Sequence, residues 1–83
     1  MIKIFKKRLK RYYREYTSAW GWGVMEAYDT VWTHSREEAI QEPMRSRYGR
    51  NNEAALDFII EVPKDQINLT AEELSKIYGA KDD

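Results

Sequence analysis

Apolar and polar positions follow two different periods along this chain. From Ala55 to Val62 the period is two: Leu56, Phe58, Ile60 and Val62 fall on one side, with Asp57, Glu61 and Ile59 on the other. That alternation predicts a half-buried strand, ended by Pro63. After Thr70 the period lengthens, so that Leu74, Ile77 and Tyr78 line one side of a helix and Gly79 is a natural stop. Thr70-Ala71-Glu72-Glu73 fits the S/T-x-x-E helix start, and so does Ser35-Arg36-Glu37-Glu38. In that motif the hydroxyl accepts the amide three residues on, and the glutamate reaches back to the cap amide. Behind Ser35, the residues Ala39, Ile40 and Met44 can line a face. Pro43 removes a hydrogen bond and crowds the turn before it. The helix is therefore expected to kink, or to stop near Gln41 with a further turn through Tyr48. Gly49-Arg50-Asn51-Asn52 reads as a loop.

Residues 10–34 carry two patterns at once. As a hairpin, Gly21-Trp22-Gly23 forms a three-residue loop. Trp20 then pairs with Val24, Tyr16 with Tyr28, and Tyr12 with Trp32, a run of aromatic cross-strand pairs. The blemish of this register is Glu15 opposite Asp29. As a helix, Ile2, Phe5, Leu9, Tyr12, Tyr16 and Trp20 make an amphipathic stripe. We favour the hairpin, because the later strand would otherwise lack a sheet to join. The predicted fold is a small α+β domain in the order ββαβα: an antiparallel sheet, made of a hairpin plus a third strand, with both helices on one face. The alternative is an N-terminal amphipathic helix in place of the first strand. The chain is read as one domain over 1–83, with a basic arm at 1–9, a folded core at 10–78 and an acidic tail at 79–83.

Eighty-three residues support only a thin core. Cysteine is absent, which excludes disulfides, thiolate metal sites and thiol catalysis. No run approaches the length of a membrane span, and no signal-peptide pattern follows the basic start. A cytoplasmic protein with no membrane partner is expected. The formal net charge is zero, but the charges are sorted. Residues 1–14 hold seven basic side chains and no acid, whereas residues 51–83 hold eight acids and three lysines. Such an arm can steer toward phosphate, toward an acidic protein surface, or toward the chain's own acidic end.

Candidate catalytic chemistry is sparse. His34 is the only histidine, so no pair of imidazoles can hold a metal. Glu37 and Glu38 are accounted for by the helix start. No serine lies in a nucleophile motif, and Gly21-Trp22-Gly23 lacks the remainder of a phosphate loop. No enzyme activity, cofactor or metal is expected.

The aromatic content is the unusual feature: six Tyr, three Trp and two Phe. Trp, Tyr and Arg are the residues that dominate protein interfaces. Trp22, between two glycines at a loop tip, leads a protein-binding set with Trp20, Tyr48, Arg47 and Arg50. Trp20, Trp32 and Tyr28 are also expected to fill the core of a thin domain. The expected function is a non-catalytic protein-binding module. Small accessory or inhibitor proteins of phages and mobile elements, which occupy a surface of a larger host complex, share this profile. A homodimer through an uncovered sheet face or edge is a further expectation. The second reading is a nucleic-acid-binding factor. It would use Lys6, Lys7, Arg8, Lys10, Arg11 and Arg14 for phosphates, with Tyr13 among the stacking rings.

Overall fold

The computed structural model describes residues 8–20, 23–46, 49–51 and 54–79. Two long strands, β1 (Lys10–Trp20) and β2 (Gly23–Thr33), form an antiparallel hairpin. A short helix α1 (Arg36–Gln41) follows, then a small ribbon of β3 (Met44–Ser46) and β4 (Gly49–Asn51). The third strand of the main sheet is β5 (Ala55–Glu61). A single 3₁₀ turn (Lys64–Gln66) leads to the last helix, α2 (Ala71–Tyr78). The main sheet runs β2-β1-β5, all antiparallel. The α+β class and the order ββαβα are those the pattern predicts, with the ribbon as an insertion. Residues 10–20 are strand, so the helical alternative does not hold there. The part of that alternative on residues 1–7 lies outside the described residues.

The hairpin register differs from the expected one by a single residue. Tyr12 pairs with Val31, Arg14 with Asp29, Tyr16 with Ala27, and Trp20 with Gly23. A slip of one residue changes every cross-strand partner. It replaces the Glu15–Asp29 repulsion with Arg14 facing Asp29.

The helices do not share a face. Side chains alternate along β1, so Tyr12, Arg14 and Tyr16 point one way and Arg11, Tyr13 and Glu15 the other. Tyr12, Val31 and Ala39 of α1 form one buried cluster, joined by Ile59. Tyr13, Val62 and Leu74 of α2 form the second, joined by Ile60, Ile67, Leu69 and Tyr78. The expectation of two helices on one face is corrected accordingly: β1 is central, and residues 12–16 are all buried. Burial of a side chain such as Leu74 stabilises the fold by about 1.5–3 kcal/mol.

Local chemistry sets where the elements begin and end. Thr70 and Glu73 make the full reciprocal cap, at 3.0 Å and 2.8 Å. Ser35 Oγ accepts the Glu38 amide at 3.1 Å, but the Glu38 carboxylate takes the His34 amide, one residue earlier than the motif predicts. Helix α1 stops at Gln41 because Pro43 drives the residue before it out of helical geometry; Glu42 is extended at φ −66°, ψ 130°. Where a further helical turn toward Tyr48 is expected, residues 44–46 form β3 instead; Tyr48 itself lies outside the described residues. Gly79 is also extended, at φ −66°, rather than left-handed. Glycine is needed there for room: a Cβ would lie 2.4 Å from the Ser75 carbonyl oxygen.

In β5 the register against β1 shifts between Glu15 and Tyr16. Glu15 pairs with Phe58 and Tyr16 with Leu56, so Asp57 is the extra residue of a bulge. The bulge turns Leu56 to the α1 face, away from Phe58 and Ile60, with which simple alternation groups it.

Candidate protein-interaction surface

The basic and aromatic residues of β1 divide sharply between interior and surface. Arg14 is fully buried, and all five of its guanidinium N–H groups have acceptors. Its Nε and Nη2 donate to the two Asp29 oxygens at 2.9 Å and 2.7 Å. Nη1 donates to the carbonyls of Ala39 and Glu42 at 2.7 Å and 2.6 Å, and Nη2 also to that of Pro43 at 3.3 Å. These are carbonyls at the end of α1, which a helix leaves without internal partners. The guanidinium also lies 4.9 Å from the centre of the Tyr16 ring. One side chain therefore joins β1, β2 and the C-terminus of α1.

Arg11 does similar work on the opposite face. It donates to the carbonyls of Ile67 and Leu69 at 3.0 Å and 2.5 Å, and to Thr30 Oγ1 at 3.2 Å. This holds the segment between the 3₁₀ turn and α2 against the sheet. Tyr13 is fully buried and donates to Glu15 Oε2 at 2.6 Å. Burial, then the adjacent Glu15 carboxylate, push the Tyr13 phenol far above its ordinary range. Burial likewise raises that of Tyr16, against the opposing pull of Arg14.

Of the nucleic-acid set, then, Arg11, Arg14 and Tyr13 are bound within the protein. Arg8 and Lys10 are exposed, and Lys6 and Lys7 lie outside the described residues. Arg8 and Lys10 border a shallow groove of about 470 Å³ with Lys64, Leu9, Pro63 and Glu61. Of the protein-binding set, Trp22, Arg47 and Tyr48 lie outside the described residues. Trp20 and Arg50 are placed by their backbone, Trp20 as the last residue of β1 and Arg50 in the middle of β4.

The placement of the hairpin end follows from the pairing. β5 accompanies β1 only from Tyr12 to Thr17, whereas β2 accompanies it to Trp20. Ser18–Trp20 and Gly23–Met25 therefore continue as a two-stranded ribbon past the third strand. Trp20 is the last residue of that ribbon on β1.

Two aromatic residues expected in the core are at the surface. Trp32 is 53% exposed and Tyr28 is 44% exposed. Both sit on β2, at the edge of the sheet, on the face that carries α2. Tyr28 touches the buried Tyr13, with ring centres 6.3 Å apart, while Tyr13 also meets Phe58 and Tyr78. The residue spacing Tyr28, Thr30, Trp32 marks one face of a strand in the sequence; that the strand is an edge depends on the sheet order. Among the described residues, no group of three or more His, Asp or Glu side chains is gathered for a metal. No helix there is long and apolar enough to cross a membrane. Comparison of the chain with protein-family models, with curated proteins and with solved structures finds no match.

Proposed function

We propose that this chain is a non-catalytic protein-binding module that works through the ends of its two hairpins. Trp20 and Trp22 would be the anchors at the β1–β2 end. Arg50 on β4, with Arg47 and Tyr48 of the same stretch of sequence, would supply the second contact. The observation that carries this reading is the β1–β2 hairpin outrunning β5, which sets its aromatic end apart from the three-stranded sheet. In this reading the chain is an accessory or inhibitory protein of the kind phages and mobile elements carry, covering a surface of a larger complex.

The test is affinity capture from lysate with wild-type chain, Trp22→Ala and Arg50→Glu as baits, read by mass spectrometry. The expected result is a partner retained by wild type and lost from both variants. A partner retained equally by all three baits overturns the assignment. Fluorescence anisotropy with mixed-sequence DNA and RNA covers the second reading. Binding that falls steeply with salt and is lost in Arg8→Glu/Lys10→Glu would move the function to the basic groove.

A further inference from the structure

Among the described residues the edges of the main sheet are β2 and β5, and they are built differently. At β5 the strand is broken by the Asp57 bulge, carries exposed Asp57 and Glu61, and runs into Pro63. Bulges, charges and proline are the features that keep an edge from recruiting another strand. At β2 the pairing with β1 is regular over eleven residues. The strand has no proline, lysine or arginine; its charged residues are Glu26 and Asp29, and Asp29 is held by Arg14.

One hydrogen bond fixes which backbone groups face that edge. The Val62 amide donates to the Arg11 carbonyl at 2.8 Å. In an antiparallel ladder, alternate residues bond to opposite neighbours. Arg11, Tyr13 and Glu15 therefore bond toward β5, and Tyr12, Arg14 and Tyr16 bond toward Val31, Asp29 and Ala27 of β2. The intervening β2 residues Tyr28, Thr30 and Trp32 direct their N–H and C=O groups away from β1. A groove of about 320 Å³, lined by Thr30, Val31, Trp32 and Glu42, runs beside them.

We propose that β2 pairs antiparallel with β2 of a second copy of this chain, about a two-fold axis at Thr30. This joins two three-stranded sheets into one continuous sheet of six strands. Tyr28 then stands opposite the partner's Trp32, and Trp32 opposite the partner's Tyr28. Each exposed ring meets another ring in a cross-strand pair. Thr30 meets the partner's Thr30 at the axis. Tyr28, Thr30 and Trp32 each exchange two backbone bonds with their opposites, about six in all. Pairing ends there, because the His34 amide is already donated to Glu38. An axis at Tyr28 would put Trp32 opposite the partner's Val24, and an axis at Trp32 would carry Tyr28 past the end of the partner's strand. Only the Thr30 axis pairs both exposed aromatics. A chain of zero net charge also meets little repulsion from its own copy. This pairing uses residues other than the hairpin ends, so it stands or falls independently of the proposed function.

Sedimentation equilibrium of the full chain, from low micromolar to submillimolar concentration, tests it. The wild type is expected to move from 9.9 kDa to about twice that mass. Tyr28→Lys/Trp32→Lys sets lysine opposite lysine at both aromatic positions and is expected to stay monomeric with an unchanged far-UV CD spectrum. Tyr28→Lys/Trp32→Glu sets lysine opposite glutamate in this register alone and is expected to associate again. Hydrogen exchange of the wild type gives a reading that needs no variant: the Tyr28, Thr30 and Trp32 amides should gain protection as concentration rises. A wild type that is monomeric throughout, or a double-lysine variant that still dimerises, overturns the proposal. A lysine–glutamate variant that stays monomeric overturns the Thr30 axis.

Discussion

Replacing Arg14 with methionine keeps an unbranched apolar stem and removes every donor. The guanidinium is fully buried, and its Asp29 partner is only 10% exposed, so solvent screens the pair weakly. Breaking a buried pair by deleting one member typically costs about 3–5 kcal/mol. Native domains of this size are stable by roughly 0.05–0.15 kcal/mol per residue, or about 4–12 kcal/mol in all. Arg14→Met should therefore remove about a quarter or more of the stability, and at the low end most or all of it. Urea unfolding followed by far-UV CD measures this as a fall in midpoint at constant slope.

The companion variant separates an ordinary ion pair from the arrangement seen here. Where only a pair is buried, replacing both charges with apolar residues is often neutral or stabilising. Here the carbonyls of Ala39 and Pro43 would still lose the Arg14 donor, and that of Glu42 would keep only the Tyr16 hydroxyl at 3.4 Å. An unsatisfied buried polar group costs about 1–3 kcal/mol. Arg14→Met/Asp29→Leu should therefore remain at least about 2 kcal/mol below wild type. Arg14→Lys should fall between, because an ammonium is a point charge and cannot serve the carboxylate and the carbonyls together. A double variant as stable as wild type, or an Arg14→Met loss below about 1 kcal/mol, would refute the account of Arg14 as the tie between the hairpin and α1.

Two further predictions concern pH. The buried Tyr13 and Tyr16 phenols hold their protons to higher pH in the folded state than in the unfolded one. Their contribution is complete below the ordinary tyrosine value near 10 and declines above it, by about 1.4 kcal/mol per pH unit for each phenol. Urea midpoints measured on the alkaline side should show this decline, and Tyr13→Phe should make it shallower; an unchanged slope would exclude Tyr13 as its source. At the acid end, the Thr70 amide and hydroxyl hold the Glu73 carboxyl below its usual value. The Glu73 part of the cap is present above the ordinary carboxylate range and is lost as pH falls through the lowered one. Thr70→Ala should cost about 1 kcal/mol at neutral pH, and should flatten the acid limb of the stability profile.

The strand at 55–61, both capped helices and the hairpin were legible from period and cap chemistry, because those signals are local. The register was not, because it turns on whether two or three residues join the strands. Yet the misreading carried its own correction. It set Glu15 against Asp29, and a slip of one residue turns that repulsion into a bidentate Arg14–Asp29 pair. With that pairing, the arginine that read as a phosphate ligand becomes an internal tie. The helical reading of residues 10–20 arose from the same cause. A central strand covered on both faces need not alternate, and residues 12–16 are accordingly a run of rings and paired charges.

Which aromatics stay outside was the least legible property, since it depends on strand order. Once β1 is central, its tyrosines take the interior, where the Tyr13 hydroxyl reaches Glu15 and the Tyr16 hydroxyl the Glu42 carbonyl at 3.4 Å. Tyr28 and Trp32 are left on β2 with α2 beside them and nothing described beyond them in the sheet. An edge that ends in a bulge, a proline and acids can stay in water, as β5 does. An edge with outward amides flanked by two exposed rings, with neither bulge nor proline and with Asp29 already held by Arg14, is less protected, and in water it is the less stable arrangement. The asymmetry between the two edges is thus a physical reason to expect association at β2, whatever the hairpin ends contact.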